Sequence, residues 1–213
     1  MGGTSGLSEQ QLRALDRLSR AAPIARFYLA GGAALGFHLG HRISRDLDLF
    51  GVDRDVDLGV VKTAVEDCFD EVVVVGQTDA ALHLRCDGLP IDFVRYPYPP
   101  LSEPTRGPEG VRVASLSDLG VMKLAAIARR GLRRDFWDLC AILEAGISLG
   151  SLGRDYVHRF GVKESDLYHV ARALTFFADA EKDPTLPAGM TEQGWETIKA
   201  RMRAEAPALL REA

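Results

Sequence analysis

Apolar residues recur at helical spacing from Leu7 to Ala21 (Leu7, Leu12, Leu15, Leu18), and Ser8 with Gln11 has the form of a capping box. The chain is therefore expected to open with an amphipathic helix that Pro23 ends. Arg26 to Ala30 reads as a short buried strand stopping at Gly31-Gly32, after which a helix runs to about His41. In Asp46-Leu47-Asp48-Leu49-Phe50 the pattern switches to strict alternation, which puts the leucines on one face of a strand and both aspartates on the other. Val56 to Phe69 suits a helix, and Val72 to Val75, Ala81 to Cys86 and Ile91 to Val94 read as three strands, with Gly88 and Pro90 making the last connection tight.

Five prolines (Pro97, Pro99, Pro100, Pro104, Pro108) fall between Tyr96 and Gly110, a stretch that excludes regular structure and marks the expected domain boundary. Beyond it the pattern is helical throughout: Ser117 to Arg130, Asp135 to Ala145, Arg154 to Phe160, Glu164 to Ala180 and Thr191 to Leu210. The expected architecture is α+β, a mixed sheet with flanking helices over residues 1–110, followed by a helical domain over 111–213.

Composition narrows the class without naming the chemistry. The 213 residues, 46% hydrophobic and 26% charged, are ordinary for a globular protein. No apolar run approaches the roughly 20 residues of a membrane helix and no signal-peptide segment is present, so a cytoplasmic protein with no membrane partner is expected. Three widely spaced cysteines, Cys68, Cys86 and Cys140, form no C-x-x-C pair and read as small buried residues. The net charge of −4 argues against a protein that coats nucleic acid through its overall field, so any polyanion must be met locally.

Three Asp-x-Asp pairs occur. The overlapping pair Asp53-x-Asp55-x-Asp57 resembles the start of a calcium loop, but Leu58 stands where glycine is needed and Ala64 where an acid is, so a turn capping the next helix is the better reading. Asp46-x-Asp48 differs because it lies on an apolar strand, downstream of a strand that ends in two glycines and opens a helix. Two carboxylates on one face repel unless a cation or a guanidinium, such as Arg42 or Arg45, lies between them. Asp92 adds a third, interrupting the apolar strand Ile91-x-Phe93-Val94, where a charge is costly unless partnered. Three such aspartates on neighbouring strands suit two divalent ions about 4 Å apart, with the glycine turn cradling an anion at a helix N-terminus.

The stretch Phe27 to Leu35, the run His41-Arg42-x-Ser44-x-Asp46-Leu47-Asp48-Leu49-Phe50, and later Lys123-Leu124-Ala125-Ala126-Ile127 with Arg134-Asp135-Phe136-x-Asp138-Leu139, resemble the AbiEii/AbiGii toxin family of nucleotidyltransferases, within the DNA polymerase β superfamily. The resemblance covers roughly residues 26–143. It implies a nucleotidyltransferase core that moves a nucleotide from an NTP, with two Mg²⁺ ions for which Mn²⁺ is a substitute, onto a hydroxyl of RNA (a tRNA 3′ end) or of a protein. It also implies a toxin with a cognate antitoxin. Position by position it assigns Gly31 and Gly32 to the phosphate turn, Asp46, Asp48 and Asp92 to the metal, Arg42 and Ser44 to the substrate beside that turn, and Lys123 to substrate and catalysis. Arg134, Asp135 and Asp138 fall in its last block, and either aspartate is a candidate to face the site. Ala33 stands where the superfamily usually has Ser or Thr, which removes a hydroxyl donor and keeps open a degenerate protein that binds a nucleotide or antitoxin without turnover.

Other residues have plainer readings. Lys123 outside that context is a solvated helix lysine. Arg129, Arg130, Arg133 and Arg134 crowd a helix C-terminus, where cations are stabilised, and Asp135 and Asp138 occupy a first turn, where carboxylates are. His38 and His41 lack further ligands for a zinc site. Tyr96, Tyr98 and Trp137 suit either base stacking or packing. A phosphatase built on Asp-x-Asp needs a hydrophobic strand running into Asp46, where Arg42, Ser44 and Arg45 stand instead, and no G-x-G-x-x-G follows the first strand.

Overall fold

Ser8 caps the first helix as its spacing predicts: its hydroxyl accepts from the Gln11 amide at 3.2 Å, and the Gln11 side chain accepts from the Ser8 amide at 2.8 Å. A computed structural model describes residues 6–53 and 55–211 of the chain. They divide into two compact units, Met1–Ser115 and Leu116–Ala213.

In the first unit, α1 (Glu9–Ser19) buries Leu15 and Leu18 completely. A 3₁₀ turn, Ala22–Arg26, follows, because Pro23 sets the backbone angle that such a turn needs. The strand β1 is consequently shorter than its apolar pattern predicts, Tyr28–Ala30. Helix α2 (Gly31–Leu39) ends on Gly40, whose φ of 62° is left-handed, so the helix stops before His41. Strand β2 (Leu47–Gly51), helix α3 (Leu58–Glu66) and strands β3 (Val72–Gln77), β4 (Ala81–Cys86) and β5 (Leu89–Arg95) come next. Asp57 caps α3 by accepting from the Gly59 amide at 2.7 Å, the turn role expected of that acidic run. The proline-rich segment, expected to exclude regular structure, holds the short strand β6 (Thr105–Arg106) and a 3₁₀ turn (Pro108–Gly110), and β7 (Arg112–Val113) lies just beyond it.

The described residues form one mixed sheet in the order β3-β4-β5-β2-β1-β7-β6. Strands β1 and β2 are antiparallel, while β2 and β5 are parallel neighbours at its centre. Leu47, Leu49, Leu82, Leu84, Ile91 and Phe93 point to the buried face, where Phe93 meets Phe27 edge to face at 5.3 Å. Asp48, Phe50, His83, Asp92 and Val94 alternate with them on the other, half-buried face.

The second unit is helical: α4 (Leu116–Arg129), α5 (Arg133–Glu144), α6 (Leu149–Phe160), α7 (Leu167–Leu174), α8 (Ala178–Glu181), α9 (Glu192–Glu205) and α10 (Ala208–Arg211). Helix α6 begins a turn and more before Arg154. Its glycines mask the start, yet they serve close packing: a Cβ at Gly153 would lie 3.0 Å from the Leu209 carbonyl. The last two apolar runs are each broken. Thr175 bonds back to the Arg172 carbonyl at 3.0 Å and ends α7, and Pro207, lacking an N–H, separates α9 from α10. Phe136 and Phe177 each meet Trp195 edge-on at the core and are tilted against one another, with centroids 5.3 to 5.8 Å apart. Arg159 and Asp118 form a fully buried ion pair at 2.7 Å. Among the described residues no single helix is long and apolar enough to cross a membrane.

Candidate functional site

Asp87 and Gly88 both have positive φ (46° and 83°), the backbone of a two-residue hairpin turn, and they fix how β4 pairs with β5. Cys86 lies opposite Leu89, and counting back places His83 opposite Asp92. Asp92 in turn lies beside Asp48 on the parallel strand β2, and Asp48 lies opposite Ala30 on β1. A single row thus runs across four strands, Ala30, Asp48, Asp92, His83, its members about 4.8 Å apart and on one face. Asp46 lies in the bend that leads into β2.

Each carboxylate has a local setting. His83 Nδ1 stands 2.9 Å from Asp92 Oδ1. The Ser44 hydroxyl donates to Asp46 Oδ1 at 2.5 Å. Asp48 lies over Gly31, where a Cβ would overlap its Oδ2, and Gly31 also has a φ of 60°. Glycine is therefore required there twice over. A Cβ at Gly32 would stand 2.7 Å from the Ser44 hydroxyl and 2.8 Å from a guanidinium nitrogen of Arg42, so both expected substrate residues converge on the turn. No side chain caps α2, whose N-cap is Ala30, and the first-turn amides point where an anion would be favoured. Ala33 is fully buried.

Gln11 braces this loop from α1. Its Nε2 donates to the carbonyls of both Ser44 and Asp46 at 3.2 Å, and the residue is 1% exposed. The sequence marks Gln11 only as the partner of Ser8 in a capping box and does not mark His83. The alternation of β4 and the two-residue Asp-Gly turn carry the signal for His83; that for Gln11 is tertiary.

Within the second unit Lys123 is buried rather than solvated. Its Nζ lies 3.0 Å from Asp135 and 2.7 Å from Asp138, two carboxylates with no exposure at all. The pair of acids that the sequence left undivided thus shares one cation. Burial opposes the Lys123 charge, but the Asp138 and Asp135 carboxylates prevail and raise its pKa. Burial likewise works against ionised Asp135, and Lys123 with Arg130 overcomes it, lowering that carboxyl below its ordinary range. Arg130 reaches Asp135 at 3.3 Å, whereas Arg134 is exposed. Of the remaining candidates, His38 Nε2 bonds the Ala114 carbonyl at 2.8 Å, a structural role. Cys86 and Cys140 are buried, and burial pushes both thiols up to about 12.

Carboxylate oxygens are the hard donors that Mg²⁺ takes, and Mg²⁺ is commonly held by one or two carboxylates with water and substrate phosphates completing the shell. Asp46, Asp48 and Asp92 supply that donor type. Among the described residues no three His, Cys, Asp or Glu side chains gather closely enough to enclose an ion by themselves. The gathering of Asp46, Asp48 and Asp92 about an ion that the sequence leads one to expect is therefore not seen among the described residues.

Comparison with known proteins bears on this geometry. A family model described as nucleotidyl transferase AbiEii toxin, type IV TA system, matches residues 13–212. An uncharacterized protein of Aquifex aeolicus (strain VF5) is 30% identical over 180 residues, covering 83% of this chain and 86% of its own. Among solved structures, MenT4, a nucleotidyltransferase toxin of Mycobacterium tuberculosis H37Rv, is similar with a TM-score of 0.59 and 19% identity, over 92% of this chain and 85% of that one. The JHP933 protein of Helicobacter pylori is similar with a TM-score of 0.55 and 20% identity, over 97% and 94%. At these identities the structural likeness speaks for the fold.

Proposed function

Since this chain belongs to the AbiEii nucleotidyltransferase toxin family and is a nucleotidyltransferase, we propose that it moves a nucleoside monophosphate from an NTP to a hydroxyl acceptor at Asp46, Asp48 and Asp92. The observation that carries this reading is the register of Asp48 beside Asp92, with the Gly31 turn directly against Asp48.

In this reading the amides of Gly31, Gly32 and Ala33 and the Arg42 guanidinium hold the anionic tail of the NTP, and Ser44 fixes the Asp46 rotamer. The acceptor oxygen forms a bond to the α-phosphorus as the bridge to the β-phosphorus breaks. Pyrophosphate leaves, and the acceptor proton passes to Asp92, which His83 orients. Mg²⁺ bound at the aspartates supplies electrostatic stabilisation of the phosphate oxygens. Lys123 is held between the buried carboxylates of Asp135 and Asp138 inside the second unit and serves that unit's core rather than a substrate, and Arg134 is exposed at the start of α5. The acceptor class is RNA, a tRNA 3′ end included, and a cognate antitoxin is the partner that would restrain such an activity in the cell.

Incubating the full chain with each NTP in turn, Mg²⁺ and total RNA tests this by pyrophosphate release. Release that requires RNA and is abolished by EDTA supports it; no release with any NTP contradicts it. Ala33 favours a second reading, in which the missing hydroxyl leaves a protein that binds a nucleotide or antitoxin without turnover. Saturable NTP binding in the absence of pyrophosphate release would mark that outcome.

A further inference from the structure

Beyond the carboxylates, Phe50 begins a row of aromatic rings that runs past the end of β5 through Tyr96 and Tyr98, whose sequence suits either base stacking or packing. Phe50 follows Asp48 by two residues on β2 and therefore shares its face. Its ring is 5.1 Å from that of Tyr96, which in turn is 5.3 Å from Tyr98. The row begins half-buried beside the aspartates and ends at Tyr98, which is 38% exposed.

Register fixes which end of the site these rings occupy. Ala30 lies opposite Asp48 and Tyr28 opposite Phe50, so the glycine turn after Ala30 extends to one side of Asp48 and Phe50 lies to the other. Strand β5 runs parallel to β2 past Phe50, and the chain leaves it through Tyr96, whose amide donates to the Gly51 carbonyl at 2.7 Å. If the turn holds the departing pyrophosphate, an in-line attack requires the acceptor to enter from the opposite side. That side is the aromatic one.

The segment Tyr96-Pro97-Tyr98-Pro99-Pro100 also limits what it can recognise. Three prolines remove backbone donors, which disfavours pairing with an extended peptide. They restrict the tyrosines to extended backbone as well, so the rings are presented with little entropy left to lose. Flat rings at a rim, with few backbone donors, suit the π-face of a nucleobase.

We infer that Phe50, Tyr96 and Tyr98 form a stacking platform for the terminal bases of a single-stranded RNA acceptor. This inference rests on the nucleotidyl-transfer reading above for its direction, and it names how that acceptor is held. Phe50 and Tyr96 support the row, and Tyr98 makes the outermost stack.

The test uses the full chain and two variants, Tyr98→Ala and Tyr98→Phe. A short, 5′-fluorescent single-stranded RNA of mixed sequence is titrated without NTP, and KM values for total RNA and for NTP are measured in the transfer reaction. Tyr98→Ala is expected to weaken RNA binding by roughly 5- to 150-fold, the span of base–aromatic stacking. Tyr98→Phe, which keeps the ring, restores binding, and only the KM for RNA moves. Unchanged RNA binding in Tyr98→Ala overturns the platform, as does a rise in the KM for NTP instead. Should the wild type transfer nothing, the transfer reading fails while the RNA titration still decides the platform.

Discussion

Nδ1 of His83 stands 2.9 Å from Oδ1 of Asp92, a pairing set by the Asp87-Gly88 hairpin turn four residues away. The histidine holds the orientation of the carboxylate assigned to accept the acceptor proton. His83→Ala is expected to lower kcat roughly 10- to 100-fold, as loss of a residue supporting a metal-site ligand commonly does. The KM for NTP should change little, and His83→Gln, which keeps a donor, should recover part of the loss. Steady-state kinetics at one pH measure both; an unchanged kcat would remove His83 from the site.

Gly31→Ala combines a left-handed φ of 60° with overlap on the Asp48 carboxylate. The backbone strain alone is worth about 1–2 kcal/mol. Displacement of Asp48 adds a loss of transfer activity larger than that destabilisation accounts for. Thermal melts paired with activity assays below the melting range separate the two effects.

Gln11→Leu leaves the carbonyls of Ser44 and Asp46 without their donor inside the protein. The expected destabilisation is about 1–3 kcal/mol, read from urea unfolding of the variant against wild type. A shift confined to stability, with normal activity in the folded fraction, would show that the brace holds the fold but not the carboxylate.

The Lys123 cluster predicts a pH window. Asp135 titrates below its ordinary value in the folded chain, so its contribution is present above the unfolded value of about 3.8 and fades as pH falls through the folded one. Lys123 titrates above 10.5, so its contribution is present below that value and fades as pH rises through the folded one. Lys123→Met removes the ammonium that two buried carboxylates share, leaving Arg130 on Asp135, and should destabilise by about 3–5 kcal/mol near neutral pH. The difference from wild type should shrink as pH falls, because burial without the ammonium makes the variant's acids take up protons more readily than wild-type Asp135 does, which unfolding curves across pH would follow.

Much of this architecture is legible in the sequence because its signals are local. Alternation in Leu47 to Phe50 and in the two strands of the hairpin assigns faces correctly, whereas the chain is already bent at Asp46, and the capping box at Ser8 locates α1. The glycine pair announces a turn into a helix, and the AbiEii resemblance is matched by the family comparison. What escaped has tertiary causes. Helix α6 begins earlier than expected because its glycines are favoured by close packing, not by propensity. Lys123 reads as a surface residue until Asp135 and Asp138, on the next helix, are seen to enclose its ammonium. Gln11 lies more than thirty residues from the carbonyls it satisfies. His83, by contrast, was within reach: a two-residue Asp-Gly turn makes the hairpin register a matter of counting.

The central claim is that the aspartate face drives nucleotidyl transfer, and incorporation of α-phosphate label tests it most directly. Wild type and Asp48→Asn, a variant of nearly equal size, are incubated with α-labelled NTP, Mg²⁺ and total RNA, and acid-precipitable label is counted. The account predicts incorporation by wild type that falls to background in Asp48→Asn while the variant's melting temperature holds. Equal incorporation by the two proteins would contradict it.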